Sequence, residues 1–402
     1  MRIPFFLVII SAVFLSGCSL LPGKKQKEIV EEPNAPSGFS TKIEKGSLFK
    51  TSDGGKTFEV KSQVNETTRI EKSDILSIAY HPTRQATLFV STLDDGIFTT
   101  TNGGNTWEQK PFPPKRIYSF IIDRKDPDKR MFASGVLADS SKVFRTQDGG
   151  ESWSEVYTEP GQNTLVTALA QHFQDMNVIF AGTSAGTMVK SLDSGDTWKN
   201  IGNKVDGAIA DIVFDAKKPL VTYLLIADQK IYYSPDGGAL WQDWEKVKAE
   251  EVKALQDAAS RASQNKNQEL AKRLRDQAAA LAKRNQENKM PNSVVAITAD
   301  PSVSGTLYAG TKSGLFRSTD FGKYWYEINV IESAKKFPIR SIAIDPKNSK
   351  EIVFVAGRAF YKSVNGGETW AVTSLRTDRD AAFISYDPFN SKYLFLGLRN
   401  FK

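Results

Sequence analysis

Seven acidic or amide residues recur along the 402-residue chain, each five positions before an aromatic residue. Carboxylates could bind a metal ion, which needs several converging oxygen ligands, or act as the acid and base of a glycosidase, which needs a pair. One such residue in each of seven distant segments forms no converging set, so the spacing favours a structural role and predicts no catalytic residue, cofactor or metal ligand. The acidic or amide residues are Asp53, Asn102, Asp148, Asp193, Asp236, Asp320 and Asn365, and their aromatic partners are Phe58, Trp107, Trp153, Trp198, Trp241, Trp325 and Trp370.

These pairs belong to a repeated motif, S/T-x-D/N-x-G-x-x-W/F, which is called the box below. The first copy reads TSDGGKTF from Thr51, and the last reads SVNGGETW from Ser363. We expect the Asp or Asn side chain to accept backbone N–H groups two residues on and so to fold a turn. The glycine two positions after it would take a positive φ, and the aromatic residue would fill the space under the turn.

Each box ends a longer unit, and most units are about 45 residues long. Runs rich in Val, Ile, Phe, Tyr and Thr, separated by Gly, Pro, Asn and Asp, predict four short strands per unit, the pattern of a β-propeller blade. Gly46–Val60, around the first box, supplies two strands, and Ala381–Leu398, after the last box, supplies two more. The sequence therefore predicts an all-β, seven-bladed propeller over residues 41–402, closed by N- and C-terminal strands in one composite blade.

One interval between boxes is 84 residues long, because Trp244–Lys289 is inserted after the fifth box. This segment has no Gly or Pro and is rich in Ala, Lys, Glu, Gln and Arg, which favour helix, and its apolar residues recur at helical spacing. We predict an α-helical hairpin over residues 244–289 with a turn near Ser263–Gln268. It carries 11 basic and 7 acidic residues, and it could be a partner-binding arm or a solvated spacer.

The first 17 residues combine Arg2 with an apolar run and the small residues before Cys18, which is the only cysteine. This pattern resembles a bacterial lipoprotein signal, and it predicts a signal peptide over residues 1–17 and a lipid anchor on Cys18. Residues 18–40 are rich in Lys, Glu and Pro and predict a flexible tether. The expected protein is exported and membrane-anchored in the cell envelope.

The formal net charge of +7 is weak support for a nucleic-acid partner. The signal contributes Arg2, and the inserted segment contributes a net +4, so the rest of the chain is almost neutral. A nucleic-acid-binding domain would concentrate basic residues on one face. We therefore expect no nucleic-acid partner, and the sequence leaves the oligomeric state open.

The boxes resemble Asp-boxes, also called bacterial neuraminidase repeats, which occur in sialidases, oligoxyloglucan hydrolases, sortilin-type receptors and photosystem II assembly factors. In size, single-domain form and lipoprotein-like start, the chain is similar to the assembly factors. That resemblance implies a non-catalytic binding or assembly scaffold that acts on a protein partner or membrane complex.

The hydrolase relatives imply a competing function, a glycan-binding or glycoside-hydrolase-like surface protein. The Arg-Ile-Pro motif of sialidases is present only at Arg2–Pro4, within the predicted signal. The oligoxyloglucan hydrolases place two catalytic aspartates between two propeller domains, and this chain predicts one domain. His81 and His172 are the only histidines, each near a turn after a first strand, which does not favour a metal site built on both.

Overall fold

Antiparallel sheets follow one another along the chain, and each forms one blade of a β-propeller. The computed structural model describes residues 45–63, 70–114 and 116–401. Strands β1 (Leu48–Thr51) and β2 (Glu59–Val60) come first in the chain and belong to blade 7. Blade 1 contains β3 (Ile75–Tyr80), β4 (Leu88–Thr92), β5 (Ile97–Thr100) and β6 (Glu108–Lys110). Blade 2 contains β7 (Ile117–Ile122), β8 (Met131–Leu137), β9 (Ser140–Thr146) and β10 (Ser154–Thr158). Blade 3 contains β11 (Val166–Gln171), β12 (Ile179–Thr183), β13 (Met188–Ser191) and β14 (Lys199–Ile201).

The second half of the ring follows the same order. Blade 4 contains β15 (Ile209–Phe214), β16 (Thr222–Ile226) and β17 (Ile231–Ser234). Blade 5 contains β18 (Val294–Ala299), β19 (Leu307–Thr311), β20 (Leu315–Ser318) and β21 (Tyr326–Ile328). A 3₁₀ turn, Ala334–Lys336, precedes blade 6, which contains β22 (Ile339–Asp345), β23 (Asn348–Ala356), β24 (Ala359–Ser363) and β25 (Ala371–Ser374). Blade 7 is completed by β26 (Asp380–Tyr386) and β27 (Leu394–Arg399).

Blade 7 closes the ring with strands from both ends of the sequence. Its strand order is β2-β1-β27-β26, and β1 pairs with β27 in antiparallel register, with Phe49 opposite Leu396. The innermost strands of neighbouring blades contact one another all the way round, including β26 of blade 7 and β3 of blade 1. The predictions of seven blades and of a composite blade are confirmed.

The second strands of the blades are the most buried elements. In β4, β12, β16 and β19 every residue is buried, as expected for strands covered on both faces. Each pair of neighbouring blades shares one cluster of buried apolar side chains; between blades 3 and 4 it includes Phe180, Leu224 and Trp241. The core is therefore a series of inter-blade layers, each of which needs two blades to form.

The insertion after the fifth box is an α-helical hairpin, as predicted. Helix α1 spans Trp244–Gln264 and helix α2 spans Gln268–Glu287. The side chain of Asp243 caps the first helix by accepting from the N–H of Glu245, and Asn267 caps the second in the same way at Leu270.

The hairpin replaces the fourth strand of blade 4, which differs from the expected four strands per unit. Of the predicted outer strand only Gln242 remains, as an isolated bridge to Tyr233 on β17. The physical reason is the position of the helix start. Trp244 follows the box closely and stacks on Tyr233 with ring centroids 5.0 Å apart, so the chain turns into the helix before a strand can form.

The predicted signal peptide, tether and lipidated Cys18 lie outside the described residues, as does the start of the predicted propeller at residue 41. Within the described part of the chain, neither helix is long and apolar enough to cross a bilayer.

Candidate functional site

The seven boxes form the turns between the third and fourth strands of their blades, or lead into the hairpin in blade 4. In the third box, the hydroxyl of Thr146 donates to Asp148 at 2.7 Å and accepts the N–H of Gly150 at 2.9 Å. Asp148 accepts the N–H and the hydroxyl of Ser152, four residues on. The N–H donor to the carboxylate therefore lies four residues on and not two residues on, as expected. The reason is that two consecutive glycines with φ of 75° and 95° wrap the chain around the carboxylate.

Hydrogen bonding favours the ionised form of the Asp193 carboxyl in the fourth box. The Thr197 hydroxyl and amide both donate to Asp193, and these bonds lower the pKa of Asp193 to about 2. Each carboxylate is used within its own turn, and the turns belong to different blades. The described residues hold no group of three or more His, Cys, Asp or Glu side chains that could bind a metal ion.

The box aromatics pack between blades. Trp107 of blade 1 lies in the cluster shared with blade 7, beside Leu48 and Phe395, and its Nε1 donates to the carbonyl of Lys61 at 2.7 Å. Phe58 of blade 7 packs edge-to-face on Phe360 of blade 6, with centroids 5.2 Å apart. The aromatic residue of each box therefore joins its blade to the preceding one. The other five, at positions 153, 198, 241, 325 and 370, lie in the corresponding clusters.

The two histidines occupy a second repeated position, directly after an innermost strand. Nδ1 of His81 accepts the N–H of Arg84 at 2.9 Å, and its Nε2 lies 3.2 Å from Asp128 of the next blade. His172 accepts the N–H of Asp175 in the same manner, and its Nε2 lies 2.8 Å from the carbonyl of Pro219. Aspartates hold the corresponding position in the other five blades, namely Asp123, Asp215, Asp300, Asp345 and Asp387, of which Asp345 is the last residue of its strand. Both histidines thus close a local turn and connect two blades.

A cavity of about 780 Å³ runs through the centre of the ring and is lined by the innermost strands of all seven blades. In each of these strands the pairing register shifts by one residue near its start, as between Ile209 and Asp211 of β15. A bulge of this kind re-aims the side chain that follows it. The residues directly after the seven bulges are Ser77, Ser119, Ala168, Asp211, Ala296, Ser341 and Phe383.

Two arginines line the cavity where the innermost strands begin, which is called the upper face below. Arg340 is the second residue of β22, and Arg399 ends β27 opposite Asp380 at the start of β26. The guanidinium of Arg340 stacks on the ring of Phe401 at 3.4 Å, and that of Arg399 lies 5.4 Å from the same ring. Among the described residues neither arginine forms an ion pair. The acids near Arg340 are Asp380 and Asp228, and they pair with Arg358 and Lys312 instead.

Asp211 is the only carboxylate among the described residues that line this cavity. Its side chain is exposed to the open channel, and desolvation by the ring of protein around it raises its pKa to about 6. The sequence prediction missed both Asp211 and the arginine pair. An alignment of the seven innermost strands would have shown an acid in a column of small, hydroxyl and aromatic residues.

The helical hairpin is fixed at its root. Arg284 of α2 stacks over Tyr324 of blade 5 at 4.1 Å, and the Tyr324 hydroxyl donates to Asn285 at 3.1 Å. Lys323 of the same box pairs with Glu251 of α1 at 2.7 Å. These contacts lie within the first two turns of α1 and the last turn of α2.

Charge is divided unevenly along the hairpin. Residues 244–252 and 284–289 contain four basic and four acidic residues, whereas residues 253–283 contain seven basic and three acidic ones. The segment 253–283, called the free arm below, therefore carries the whole net charge of +4. Alanines at positions 259, 262, 271 and 278 form the buried seam between its helices, and Leu270 near its tip is 42% exposed.

The chain resembles two groups of known proteins in sequence. The family model of the photosynthesis system II assembly factor YCF48 matches residues 68–256, slightly less than half of the chain. The oligoxyloglucan-reducing end-specific xyloglucanase of Emericella nidulans is 24% identical over 280 residues, which cover 54% of this chain and 34% of that enzyme. A xyloglucanase of Hypocrea jecorina is 28% identical over 112 residues, which cover 27% of this chain and 13% of that protein. The chain thus spans about a third or less of the curated relatives that it matches.

Solved structures of both groups share the fold. The GH74 xyloglucanase from Xanthomonas campestris superposes with a TM-score of 0.59 at 16% identity, covering 82% of this chain and 51% of that one. YCF48 bound to D1 peptide superposes with a TM-score of 0.55 at 13% identity, covering 82% and 94%. YCF48 from Cyanidioschyzon merolae gives 0.54 at 15% identity, covering 83% and 97%. The chain is therefore a seven-bladed β-propeller similar to the YCF48 type of photosystem II assembly factor and to about half of a GH74 xyloglucanase.

Proposed function

We propose that this protein is a membrane-anchored, exported lipoprotein whose propeller is a non-catalytic scaffold for a protein partner. The partner contributes an extended segment with an acidic group, which docks on the upper face over the mouth of the central cavity. The observation that carries this proposal is the pair Arg340 and Arg399, which face the cavity without an acidic partner in the described part of the chain.

Arginine is suited to this role because its planar guanidinium binds a carboxylate through two parallel hydrogen bonds. Phe401 adds an aromatic surface beside both guanidinium groups, and Phe337 on the same face is 46% exposed. Cationic and aromatic side chains together at a cavity mouth are typical of a recognition surface. The likeness to YCF48 bound to D1 peptide supports a peptide segment as the ligand class.

The competing function is that of a glycoside hydrolase, which the xyloglucanase neighbours favour. Such an enzyme needs two carboxylates roughly 5 to 10 Å apart across the substrate. The described cavity lining offers one, Asp211. This observation favours the scaffold over the hydrolase.

Membrane anchoring is part of the proposal and depends on the sequence of the first 40 residues. The single cysteine lies where the lipoprotein pattern needs it, and a lipid chain with a further acyl group would hold the protein stably on a bilayer. Replacement of Cys18 by Ser, followed by fractionation of the cells, tests this part separately. The Cys18→Ser protein should leave the membrane fraction and keep its propeller fold.

Photo-cross-linking in the protein's own cells tests the docking surface. A photoreactive phenylalanine analogue in place of Phe401 would lie against Arg340, and we expect it to capture a discrete partner. The cross-link should be lost in the variant Arg340→Gln/Arg399→Gln. It should persist in Arg116→Gln, which removes an upper-face arginine that Asp94 already pairs at 2.9 Å. A cross-link that the double variant leaves unchanged would overturn the proposed surface.

A further inference from the structure

Asp211 differs chemically from its counterparts in the other six blades. Each innermost strand has one residue directly after its bulge, and in six blades that residue is Ser, Ala or Phe. Because the register is the same in every blade, these side chains lie at the same height around the channel. Only blade 4 places a charge in this layer.

Two of the three serines of this layer have a structural role that Asp211 does not share. Ser119 accepts the N–H of Leu169 in the next blade at 2.9 Å, and Ser341 accepts the N–H of Ile384 in the next blade at 3.1 Å. Asp211 instead accepts the N–H of its own neighbour, Ile212, at 2.8 Å. Hydrogen bonding between neighbouring blades therefore does not explain why blade 4 has an aspartate at this position.

No cation within the described residues compensates Asp211. The ionisable groups that line the cavity with it are Tyr118, Tyr386, Arg340 and Arg399. The hydroxyl of Tyr386 is bonded to Glu351 at 3.1 Å, and the charges that influence the pKa of Arg340 are Asp380, Asp228 and Arg399 rather than Asp211. Asp211 is thus an exposed carboxylate in the channel with no basic partner among the described residues, and the protein around it disfavours its ionised form.

The donor set indicates which kind of cation would fit. A divalent metal ion needs several oxygen ligands, usually with more than one carboxylate, and this layer has a single carboxylate. An organic monocation needs one anionic partner and an apolar or aromatic wall for its stem. Blade 7 lies across the ring from blade 4 and places the half-buried Phe383 in the same layer.

We propose that Asp211 is the anionic end of a site in the central channel that binds an alkylammonium group. The group could belong to a lysine side chain of a docked segment or to a free amine. The site lies inside the channel and is chemically separate from the arginine pair. It therefore goes beyond the proposed docking surface and could stand without it.

Methyl NMR on the full propeller chain tests this site with n-butylammonium as the probe and n-butanol as its neutral counterpart. Ile297, Ile342 and Ile384 belong to the strands that line the cavity and are buried directly behind its wall, so their methyl signals report on its occupancy. We expect n-butylammonium to shift these methyls, with an apparent Kd at least tenfold weaker in Asp211→Asn. Asn can still accept the N–H of Ile212, so the fold should be kept.

The matched control is Asp228→Asn, which removes an exposed carboxylate that pairs with Lys312 and should leave the affinity unchanged. Equal shifts from n-butanol, or an unchanged Kd in Asp211→Asn, would overturn the site. A lysine pentapeptide and its Nε-acetylated form then separate the two sources. Binding of the lysine peptide but not of the acetylated peptide supports a lysine side chain of a docked segment, whereas binding of n-butylammonium alone supports a free amine. The variant Arg340→Gln/Arg399→Gln should still bind n-butylammonium, because the site in the channel is separate from the arginine pair.

Discussion

At the scale of single residues, the box is explained by hydrogen bonds that close inside one turn. Asn102 and Asn365 stand where the other boxes have Asp, and each accepts the N–H of the threonine four residues on at 3.0 Å while its amide donates to the same threonine's hydroxyl. Asn and Asp are thus equivalent for the turn, which indicates that the acid is not needed for chemistry.

This equivalence predicts the effect of two substitutions at Asp193. Asp193→Asn should keep the thermal midpoint almost unchanged, whereas Asp193→Ala should lower it by a few degrees because the N–H of Thr197 loses its acceptor. Thermal unfolding followed by circular dichroism measures both. Because the pKa of Asp193 is lowered to about 2, the advantage of the wild-type protein over Asp193→Ala should be complete above about pH 4 and decline as the pH falls through about 2.

The opposite pH dependence of stability is expected at Asp211, whose pKa is raised to about 6. A carboxyl with a raised pKa costs stability once it ionises, so the cost is absent below about pH 4 and grows as the pH rises through 6. Asp211→Asn should therefore increase the free energy of unfolding by about 1 kcal/mol at pH 8, a value discounted because the side chain faces channel water. Denaturant titrations at pH 4 and pH 8 measure the difference. A variant that is less stable at pH 8 would contradict the unpaired state of Asp211.

At the scale of elements, the strands and the hairpin can be predicted from patterns in the sequence. Alternation, β-branched residues and Gly-rich turns mark the strands, and the Ala, Lys and Glu composition marks the helices. The lost fourth strand of blade 4 was not predictable, since it depends on Trp244 stacking on Tyr233. The bulge that turns Asp211 toward the channel depends on strand register, which a single strand's sequence does not determine.

The hairpin should behave as two parts, a fixed root and a free arm. Replacing residues 254–280 by a short Gly-Ser turn should remove helical signal and leave the thermal midpoint within about 2 °C, because the described contacts with the propeller lie in the root. Tyr324→Ala should lower the midpoint by more than the truncation does, since Tyr324 is 4% exposed and packs beneath Arg284. A larger loss from the truncation would show that the arm supports the propeller.

At the scale of the whole molecule, stability depends on a ring that is closed by a composite blade. Leu396 in blade 7 and Leu224 in blade 4 are both fully buried in second strands. Leu396→Ala should reduce the free energy of unfolding by about 2–5 kcal/mol, similar to Leu224→Ala, although its blade joins strands from distant parts of the chain. Equilibrium unfolding of both variants checks this, and a cost below about 1 kcal/mol at Leu396 alone would argue against closure.

A closed ring also explains why the boxes repeat while the binding features do not. Each inter-blade layer needs the same turn and aromatic residue, whereas Arg340, Arg399 and Asp211 each occur in one blade. The partner surface is therefore expected where the seven-fold repeat is broken, at the mouth and interior of the channel, and not at the repeated boxes.

The proposed function requires the upper face to bind an acidic segment of a protein partner. Fluorescence anisotropy measures this binding with a labelled hexapeptide pool that contains two Glu per peptide and a matched pool that contains Gln. We predict saturable binding of the Glu pool, at least tenfold weaker binding of the Gln pool, and the same loss in Arg340→Gln/Arg399→Gln but not in Arg116→Gln. Equal affinity for both pools, or hydrolysis of xyloglucan by the wild-type protein, would overturn the proposed scaffold function.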